Sequence, residues 1–331
     1  MTPAPVRVPH TIATSAFWHD YVITCRPYLC FVSGATGLVG LALVPALPRW
    51  KLACALAAFF LSYGFGQALT DVFQTDTDGF SAPYRPLVQG RVKGGQVLAV
   101  SLAGLAGCAL LFLFCNPWTL VLSSLGVGGL ATYTPVKRRW WGGPAWNSWI
   151  VASLPVIGVQ CSVQGFSEAL RVPGLGWAVA SVFFSYATFV ILGYFKDVSA
   201  DSVTGYDTLP VHFGWRTALV VSGACGLLAV TASLGLVLVL GEMRANAEPR
   251  SILMLAAWAS GMTLLVSSHV VMWFAHSEGE AWGPIENCVR GYLLLHLGEA
   301  GMAQPSLSVF ALAFYGVFEV VLAMRPERRQ V

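Results

Sequence analysis

Residues 175–201 read LGWAVASVFFSYATFVILGYFKDVSAD. An apolar run of about 20 residues, long enough to cross a bilayer as a helix, leads directly into a lysine and two aspartates. The same succession occurs earlier, where an apolar run over 52–71 leads into TDVFQTDTD at 70–78. Charge at membrane depth is costly unless it is paired or bound to a metal. The two stretches therefore predict membrane helices that carry chemistry at their ends.

The composition excludes an ordinary soluble protein. Of the 331 residues, 56% are hydrophobic and only 11% are charged, whereas soluble domains average about 25% charged. Lipid offers no partners to backbone polar groups, so long apolar runs must form helices. We predict an all-α polytopic membrane protein with nine transmembrane helices in a single bundle, at about 28–48, 52–71, 96–115, 117–134, 145–165, 175–195, 217–240, 251–274 and 305–323.

No linker divides the chain, so we predict a cytoplasmic N-terminal segment over 1–24 and one transmembrane domain over 25–331. With the N-terminus inside, 11 Lys and Arg residues face the cytoplasm and 8 face away, which favours this orientation. It puts both acidic clusters on the cytoplasmic side. The polar stretch 276–304 is predicted as an interfacial helix. No basic tract of the kind that binds nucleic acid is present, and oligomeric state leaves no readable pattern.

Five of the seven aspartates fall in the two clusters, and Asp207 follows shortly after the second. On a continuous helix Asp71, Gln74 and Asp78 share a face, and so do Asp197 and Asp201. Facing carboxylates without a cation would repel each other, and Mg²⁺ prefers carboxylate oxygens that it bridges to substrate phosphates. We predict a Mg²⁺ site with the ligand candidates Asp71, Gln74, Asp76, Asp78, Asp197 and Asp201. The clusters lie four helices apart, which suggests two four-helix halves plus one helix, with the site between the halves.

Basic residues lie where a metal-bound diphosphate would need them. Arg85 follows the first cluster, Lys137 and Arg138 follow the fourth apolar run, and Tyr194 and Lys196 precede the second cluster. Cationic side chains bind phosphate oxygens by charge-assisted hydrogen bonds. The plainer interpretation is ordinary loop charge on the cytoplasmic face; we predict diphosphate binding for all five.

Together these motifs resemble the UbiA-type intramembrane prenyltransferases. Thr70 to Arg91 resembles their first signature, Asn-Asp-x-x-Asp-x-x-x-Asp followed by Pro-x-Arg-Pro. Residues 195–214 resemble the second signature, Asp-x-x-x-Asp with a trailing Leu-Pro-Val and Gly, and Tyr133 to Arg138 with Asn147 also fit the pattern. Thr70 stands where the family has Asn, and Gln74 where it has the second Asp. The resemblance implies substrate-binding roles for Thr70, Tyr133 and Asn147.

The resemblance also implies a reaction. A polyprenyl diphosphate, C10–C20 in chain length, ionises with Mg²⁺, and the allylic cation is attacked by an aromatic or other hydrophobic acceptor in the membrane lipid. Within the same family a terpene cyclase is the alternative, because there the alkenes of the chain itself attack the cation. A transporter or channel that uses the charges for ions is a third hypothesis. Product formation without an acceptor separates the first two, and consumption of an isoprenoid separates both from the third.

Overall fold

The structure is a computed structural model that describes residues 8–243 and 249–327. Within those ranges the chain is helical and contains no β-strand. The helices are α1 Ser15–Cys25, α2 Cys30–Ala42, α3 Arg49–Val72, α4 Thr75–Ser81, α5 Gly94–Cys115, α6 Thr119–Lys137, α7 Gly143–Gln160, α8 Phe166–Ala169, α9 Leu175–Tyr194, α10 Val198–Thr204, α11 Leu209–Phe213, α12 Trp215–Met243, α13 Pro249–Trp273, α14 Trp282–Ala303 and α15 Ser308–Ala323. Short 3₁₀ turns lie at Pro27–Leu29, Glu278–Glu280 and Pro305–Leu307.

Seven helices of the described chain are long and apolar enough to cross a membrane, namely α3, α5, α6, α9, α12, α13 and α15 with its preceding turn. An eighth span results if α1 and Pro27–Ala42, bent by 47° at Arg26, count as one. The prediction of an all-α bundle is confirmed, and the count of nine spans is not. Of the predicted cytoplasmic segment 1–24, residues 1–7 lie outside the described residues. Its remainder includes most of α1, where Phe17 and Tyr21 are buried and Tyr21 hydrogen-bonds Ser101 of α5.

Helix α14 corrects the prediction of an interfacial helix over 276–304. From Pro284 to Ala303 nearly all of its residues are buried, and it packs against α13, α2 and α9. Small residues allow the close approach to α13, since a Cβ at Gly261 would lie 2.4 Å from the Leu295 nitrogen and one at Gly291 would lie 2.9 Å from the Gly261 oxygen. Such glycine contacts are typical of helices packed inside membranes. The polar residues that lowered the hydropathy of this stretch are therefore interior.

The interior polar residues of α14 have partners there. Glu299 is fully buried and accepts hydrogen bonds from Ser181 of α9 at 2.8 Å and Ser233 of α12 at 2.5 Å. Its other carboxylate oxygen lies 2.7 Å from His296 Nδ1, and His296 Nε2 lies 3.0 Å from Ser185. A buried polar group is tolerated only when it is hydrogen-bonded. The network explains how α14 can be central despite its charge.

Both acidic clusters lie where a long helix breaks into a short one. Helix α3 ends at Val72 and α4 starts at Thr75, while α9 ends at Tyr194 and α10 starts at Val198. The prediction that Asp71, Gln74 and Asp78 share a face of one continuous helix is therefore wrong, whereas Asp197 and Asp201 are the N-cap and the fourth residue of α10 and lie one turn apart on the same helix. Asp and Thr are weak helix formers that compete with the backbone for hydrogen bonds, and both are abundant at the first break. Helices α4 and α10 pack against each other, so the two breaks meet.

Candidate active site

A cavity opens inside the bundle at the two breaks. Its walls come from α3, α5, α6, α7 and α9, with Arg85 from the loop after α4. One end is polar, and the other is apolar, with Leu105, Phe112, Leu122 and Ile157 in its wall. Along α6 the lining runs from Leu122 to Lys137, which at 1.5 Å per residue is about 22 Å. The cavity therefore has a charged end that continues into a long apolar channel.

At the first break, buried guanidinium groups form ion pairs with the carboxylates of Asp71 and Asp78. Arg26 Nη2 lies 3.0 and 2.9 Å from the two carboxylate oxygens of Asp71. Arg85 forms an ion pair with Asp78 and lies 3.7 Å from Asp71. Burial disfavours the charge on Arg85, but Asp78 and Asp71 outweigh burial and hold the pKa of Arg85 above its usual value. Both arginines line the cavity, and neither Nε–H has a hydrogen-bond partner among the described residues.

Arg26 is a site residue that the sequence analysis missed. It lies between α1 and the Pro27–Leu29 turn with a positive φ of 50°, which is uncommon outside glycine. The main chain bends by 47° there, and the bend brings Arg26 to Asp71, 45 positions away. An arginine at the start of an apolar run, followed by proline, was the available signal. Its partner could not be identified without the fold.

Gln74, which stands in place of the family's second aspartate, binds a lysine. Its carbonyl oxygen accepts a hydrogen bond of 3.0 Å from Lys137 Nζ, and its amide lies 3.4 Å from the Thr134 hydroxyl. The Lys137 ammonium also lies 5.7 Å from the ring centre of Tyr194 and 5.2 Å from that of Tyr206. These contacts keep a buried cation in the cavity wall between the two breaks.

At the second break, Asp197 lines the cavity and Asp201 lies behind it, fully buried. Asp201 accepts hydrogen bonds from Thr77 of α4 at 3.3 Å and from Thr208 at 3.2 Å. Burial raises the pKa of Asp201 to about 6. Burial also lowers the pKa of Lys196 to about 8, although Asp197 opposes the shift. Thr77 to Asp201 is the direct link between the two breaks.

The structure brings most of the sequence-predicted residues to one cavity. Its lining includes Thr70, Asp71, Gln74, Asp78, Arg85, Tyr133, Lys137, Asn147, Tyr194, Lys196 and Asp197. Asp76 and Arg138 lie outside it, where they pair at 2.6 Å and both contact the Tyr206 hydroxyl. Tyr194 packs tightly on α7, since a Cβ at Gly143 would lie 2.1 Å from its hydroxyl oxygen.

The donor set at the polar end fits Mg²⁺ in kind. Carboxylates of Asp71, Asp78 and Asp197 and the carbonyl of Gln74 are hard oxygen donors, which Mg²⁺ prefers together with waters and substrate phosphates. Among the described residues no three His, Cys, Asp or Glu side chains converge into a complete metal cage. Magnesium is commonly held by one or two carboxylates plus phosphates rather than by such a cage. The oxygen donors and the neighbouring cations thus suit a metal that arrives with a diphosphate.

Comparison with known proteins identifies relatives along most of the chain. The model of the UbiA prenyltransferase family matches residues 32–277. Digeranylgeranylglyceryl phosphate synthase of Thermococcus kodakarensis is 25% identical over 223 residues, which cover 64% of this chain and 76% of that protein.

Solved structures share the fold. A UbiA homolog from Aeropyrum pernix K1 superposes with a TM-score of 0.65 at 20% identity, covering 85% of this chain and 97% of that one. A UbiA homolog from Archaeoglobus fulgidus bound to DMAPP and Mg²⁺ superposes with a TM-score of 0.59 at 16% identity, covering 83% and 99%. The resemblance seen in the sequence is confirmed, and so is the enzyme class, prenyltransferase. With its family model matched over well more than half of its 331 residues, this multi-pass membrane protein belongs to the UbiA prenyltransferase family.

Proposed function

We propose that this protein is a Mg²⁺-dependent prenyltransferase that ionises a polyprenyl diphosphate and transfers the prenyl group to an aromatic or other hydrophobic acceptor. The observation that carries the proposal is the shape of the cavity. Carboxylates and cations from two helix breaks form one end, and the lining continues along α6 from Lys137 at that end to the apolar Leu122, about 22 Å away. That is the form of a site for a charged diphosphate with a long hydrocarbon tail.

The residues divide by position in the cavity. Asp71, Asp78 and Asp197 are proposed to hold Mg²⁺ with the diphosphate, because their carboxylates line the polar end. Bound Mg²⁺ supplies positive charge that stabilises the departing diphosphate. Gln74 remains an auxiliary candidate through its carbonyl oxygen. Asp76 and Asp201 remain candidates from the sequence alone, since neither lines the cavity.

The cations are proposed to bind the diphosphate. Within the described parts of the chain, Arg26 and Arg85 each have a buried Nε–H without a hydrogen-bond partner at the cavity. Lys137 and Lys196 line the same cavity. Fixed cations in a water-poor site stabilise negative charge that develops on a leaving group. Tyr194, Tyr133, Thr70 and Asn147 complete the polar wall. Arg138 is proposed from the sequence alone, since it lies outside the cavity and pairs with Asp76.

The channel is proposed to hold the prenyl tail and to keep water from the allylic cation. Its wall on α5, α6 and α7 is apolar, and a closed site that excludes water protects a reactive intermediate from hydrolysis. A tail of C10–C20 is the proposed range. The relative from Archaeoglobus fulgidus is described as bound to DMAPP and Mg²⁺, which supports the diphosphate and metal assigned to this chain.

We also propose the orientation and boundaries inferred from the sequence. The catalytic domain is residues 25–331, built from two four-helix halves plus one helix with the site between them, and residues 1–24 precede it with the N-terminus in the cytoplasm. The two breaks would then face the cytoplasm. Labelling of single cysteines at Ser199 and at Arg171, on opposite ends of α9, with a membrane-impermeant thiol reagent in intact cells tests this. Labelling at position 199 and protection at 171 would reverse the orientation.

The decisive experiment is to incubate the purified protein with Mg²⁺ and geranyl, farnesyl or geranylgeranyl diphosphate, with and without extracted membrane lipids as the acceptor source. A prenylated lipid product that needs both acceptor and metal supports the transferase. A cyclic hydrocarbon formed without acceptor would overturn it in favour of the terpene cyclase, an alternative that the relatives do not support. Transport of a solute without consumption of the isoprenoid would overturn both.

A further inference from the structure

The segment 275–282, which joins α13 to α14 and includes the first residue of α14, lies against the second helix break. Its Glu278–Glu280 turn is closed internally, since Glu280 accepts hydrogen bonds of 3.0 Å from the His276 backbone N–H and from the Ser277 hydroxyl. Ala275 and Ala281 at its ends are buried. The segment is therefore a fixed part of the fold. Glu278 is the first residue after the stretch 32–277 that the family model matches.

Glu278 binds the first turn of α10. Its Oε1 accepts a hydrogen bond of 2.5 Å from the Ser199 backbone N–H and one of 2.6 Å from the Ser199 hydroxyl. Helix α10 begins at Val198, so Ser199 is its second residue, and its N–H is one that the helix itself cannot satisfy. A carboxylate near a helix N-terminus is also favoured by the helix dipole.

The N-cap residue of α10 is Asp197, and it does not cap the helix. Asp is among the best N-cap residues, because its carboxylate accepts a hydrogen bond from the N–H of the second or third helical residue. Here the Asp197 side chain makes no such bond and lines the cavity instead. The bond that it would make to Ser199 is made by Glu278.

On the same segment, Trp282 contacts Lys196, the residue that precedes Asp197. The Lys196 ammonium lies 4.8 Å from the centre of the Trp282 ring, a distance at which a cation is attracted to an aromatic face. The segment thus contacts the residues on both sides of Asp197. Because of this second contact, the segment packs against the second helix break on both sides of Asp197.

We propose that Glu278 is a positioning residue that caps α10 in place of Asp197 and so keeps the Asp197 carboxylate turned into the cavity. The inference rests on the proposed function, in which Asp197 holds Mg²⁺ with the diphosphate. Without Glu278, Asp197 has an alternative partner in the Ser199 N–H, and metal binding must compete with that bond. Glu278 itself touches neither substrate nor metal.

The proposal is tested directly by measuring the binding of Mn²⁺, a paramagnetic substitute for Mg²⁺, to the purified protein. The measurement is made with a prenyl diphosphonate, which cannot release its prenyl group as a cation. Glu278→Ala should weaken Mn²⁺ binding about tenfold, the effect of an N-cap interaction of about 1.4 kcal/mol. Glu278→Gln retains an acceptor oxygen for Ser199 and should stay within about twofold of the original chain. Glu280→Ala, which alters the same turn without touching α10, is the matched control and should also stay within twofold.

Each outcome separates the inference from the function beneath it. If the unaltered protein binds no Mn²⁺ with the diphosphonate, the proposed function fails. If it binds and Glu278→Ala binds equally well, the positioning role fails alone. An equal loss in Glu278→Gln would assign the effect to charge rather than capping, and an equal loss in Glu280→Ala would assign it to the turn as a whole; either overturns the proposal.

Discussion

Replacing Arg26 by alanine should destabilise the substrate-free protein more than any single change at the exposed charges. The Arg26 side chain is 10% exposed and that of its partner Asp71 is 3% exposed. Removal of Arg26 leaves Asp71 with Arg85 at 3.7 Å as its cation, together with the hydrogen bond of 2.7 Å from Gln67. Loss of one partner from a buried ion pair typically costs about 3–5 kcal/mol, because the other charge stays buried without compensation.

Partial compensation by Arg85 and Gln67 places the expected loss for Arg26→Ala near the lower end, about 3 kcal/mol. Asp71→Asn should also destabilise, because it leaves the Arg26 guanidinium without its anion. The double variant removes both charges and should lose less than the sum of the two single losses, by about 1–3 kcal/mol of coupling. Arg171→Ala, at an exposed arginine on the opposite end of α9, should change stability by less than about 0.5 kcal/mol.

The measurement is denaturant- or heat-induced unfolding in detergent for the four variants, compared as a double-mutant cycle. Strictly additive losses, or an Arg26→Ala variant as stable as Arg171→Ala, would refute the view that this pair carries buried charge.

Three further predictions address the reaction. Asp197→Asn and Asp78→Asn should each lower turnover by at least about 100-fold, because each removes a proposed metal ligand and charge stabilisation at a leaving group is worth several kcal/mol; turnover at the original rate in both would end the proposed mechanism. The unfolding midpoint should stay within a few degrees for Asp197→Asn, whereas Asp78→Asn should also destabilise the protein, because it removes the ion-pair partner of the buried Arg85. Lys137→Ala should raise the KM for the prenyl diphosphate about tenfold or more, because it removes a buried cation that is proposed to bind the diphosphate. Measuring the KM with prenyl diphosphates of different chain length is the control. Gly126→Phe should suppress turnover of geranylgeranyl diphosphate more than that of geranyl diphosphate. A Cβ at Gly126 meets no atom within 4 Å, so a phenyl ring can occupy the channel about 16 Å along α6 from Lys137. Equal losses for both substrates would contradict the assigned path of the tail.

The sequence predicted which residues lie at the polar end of the cavity, but it did not predict how all of them are arranged there. Asp71, Asp78 and Asp197 carry their chemistry in residue type and spacing, and all three line one cavity. The helical-face argument was wrong for the first cluster, because the break after α3 separates Asp71 from Asp78 of α4. Spacing along a helix predicts neighbours only while the helix continues. At a break, the direction of each side chain is set by what the break packs against, and for Asp201 and Asp76 that direction is away from the cavity.

The two larger omissions, Arg26 and α14, share one physical cause. A hydropathy scale assigns each residue the value that it has when it contacts lipid or water. Arg26 instead contacts Asp71, and Glu299 contacts Ser181, Ser233 and His296. A charge with an interior partner lowers the apolar score of its helix without making that helix peripheral. The partners lie 45 positions from Arg26 and up to 118 from Glu299, so no local pattern connects them. The same reasoning applies to Glu278: the positioning role proposed for it depends on its hydrogen bond to Ser199, 79 positions away, and only the fold brings the two residues together.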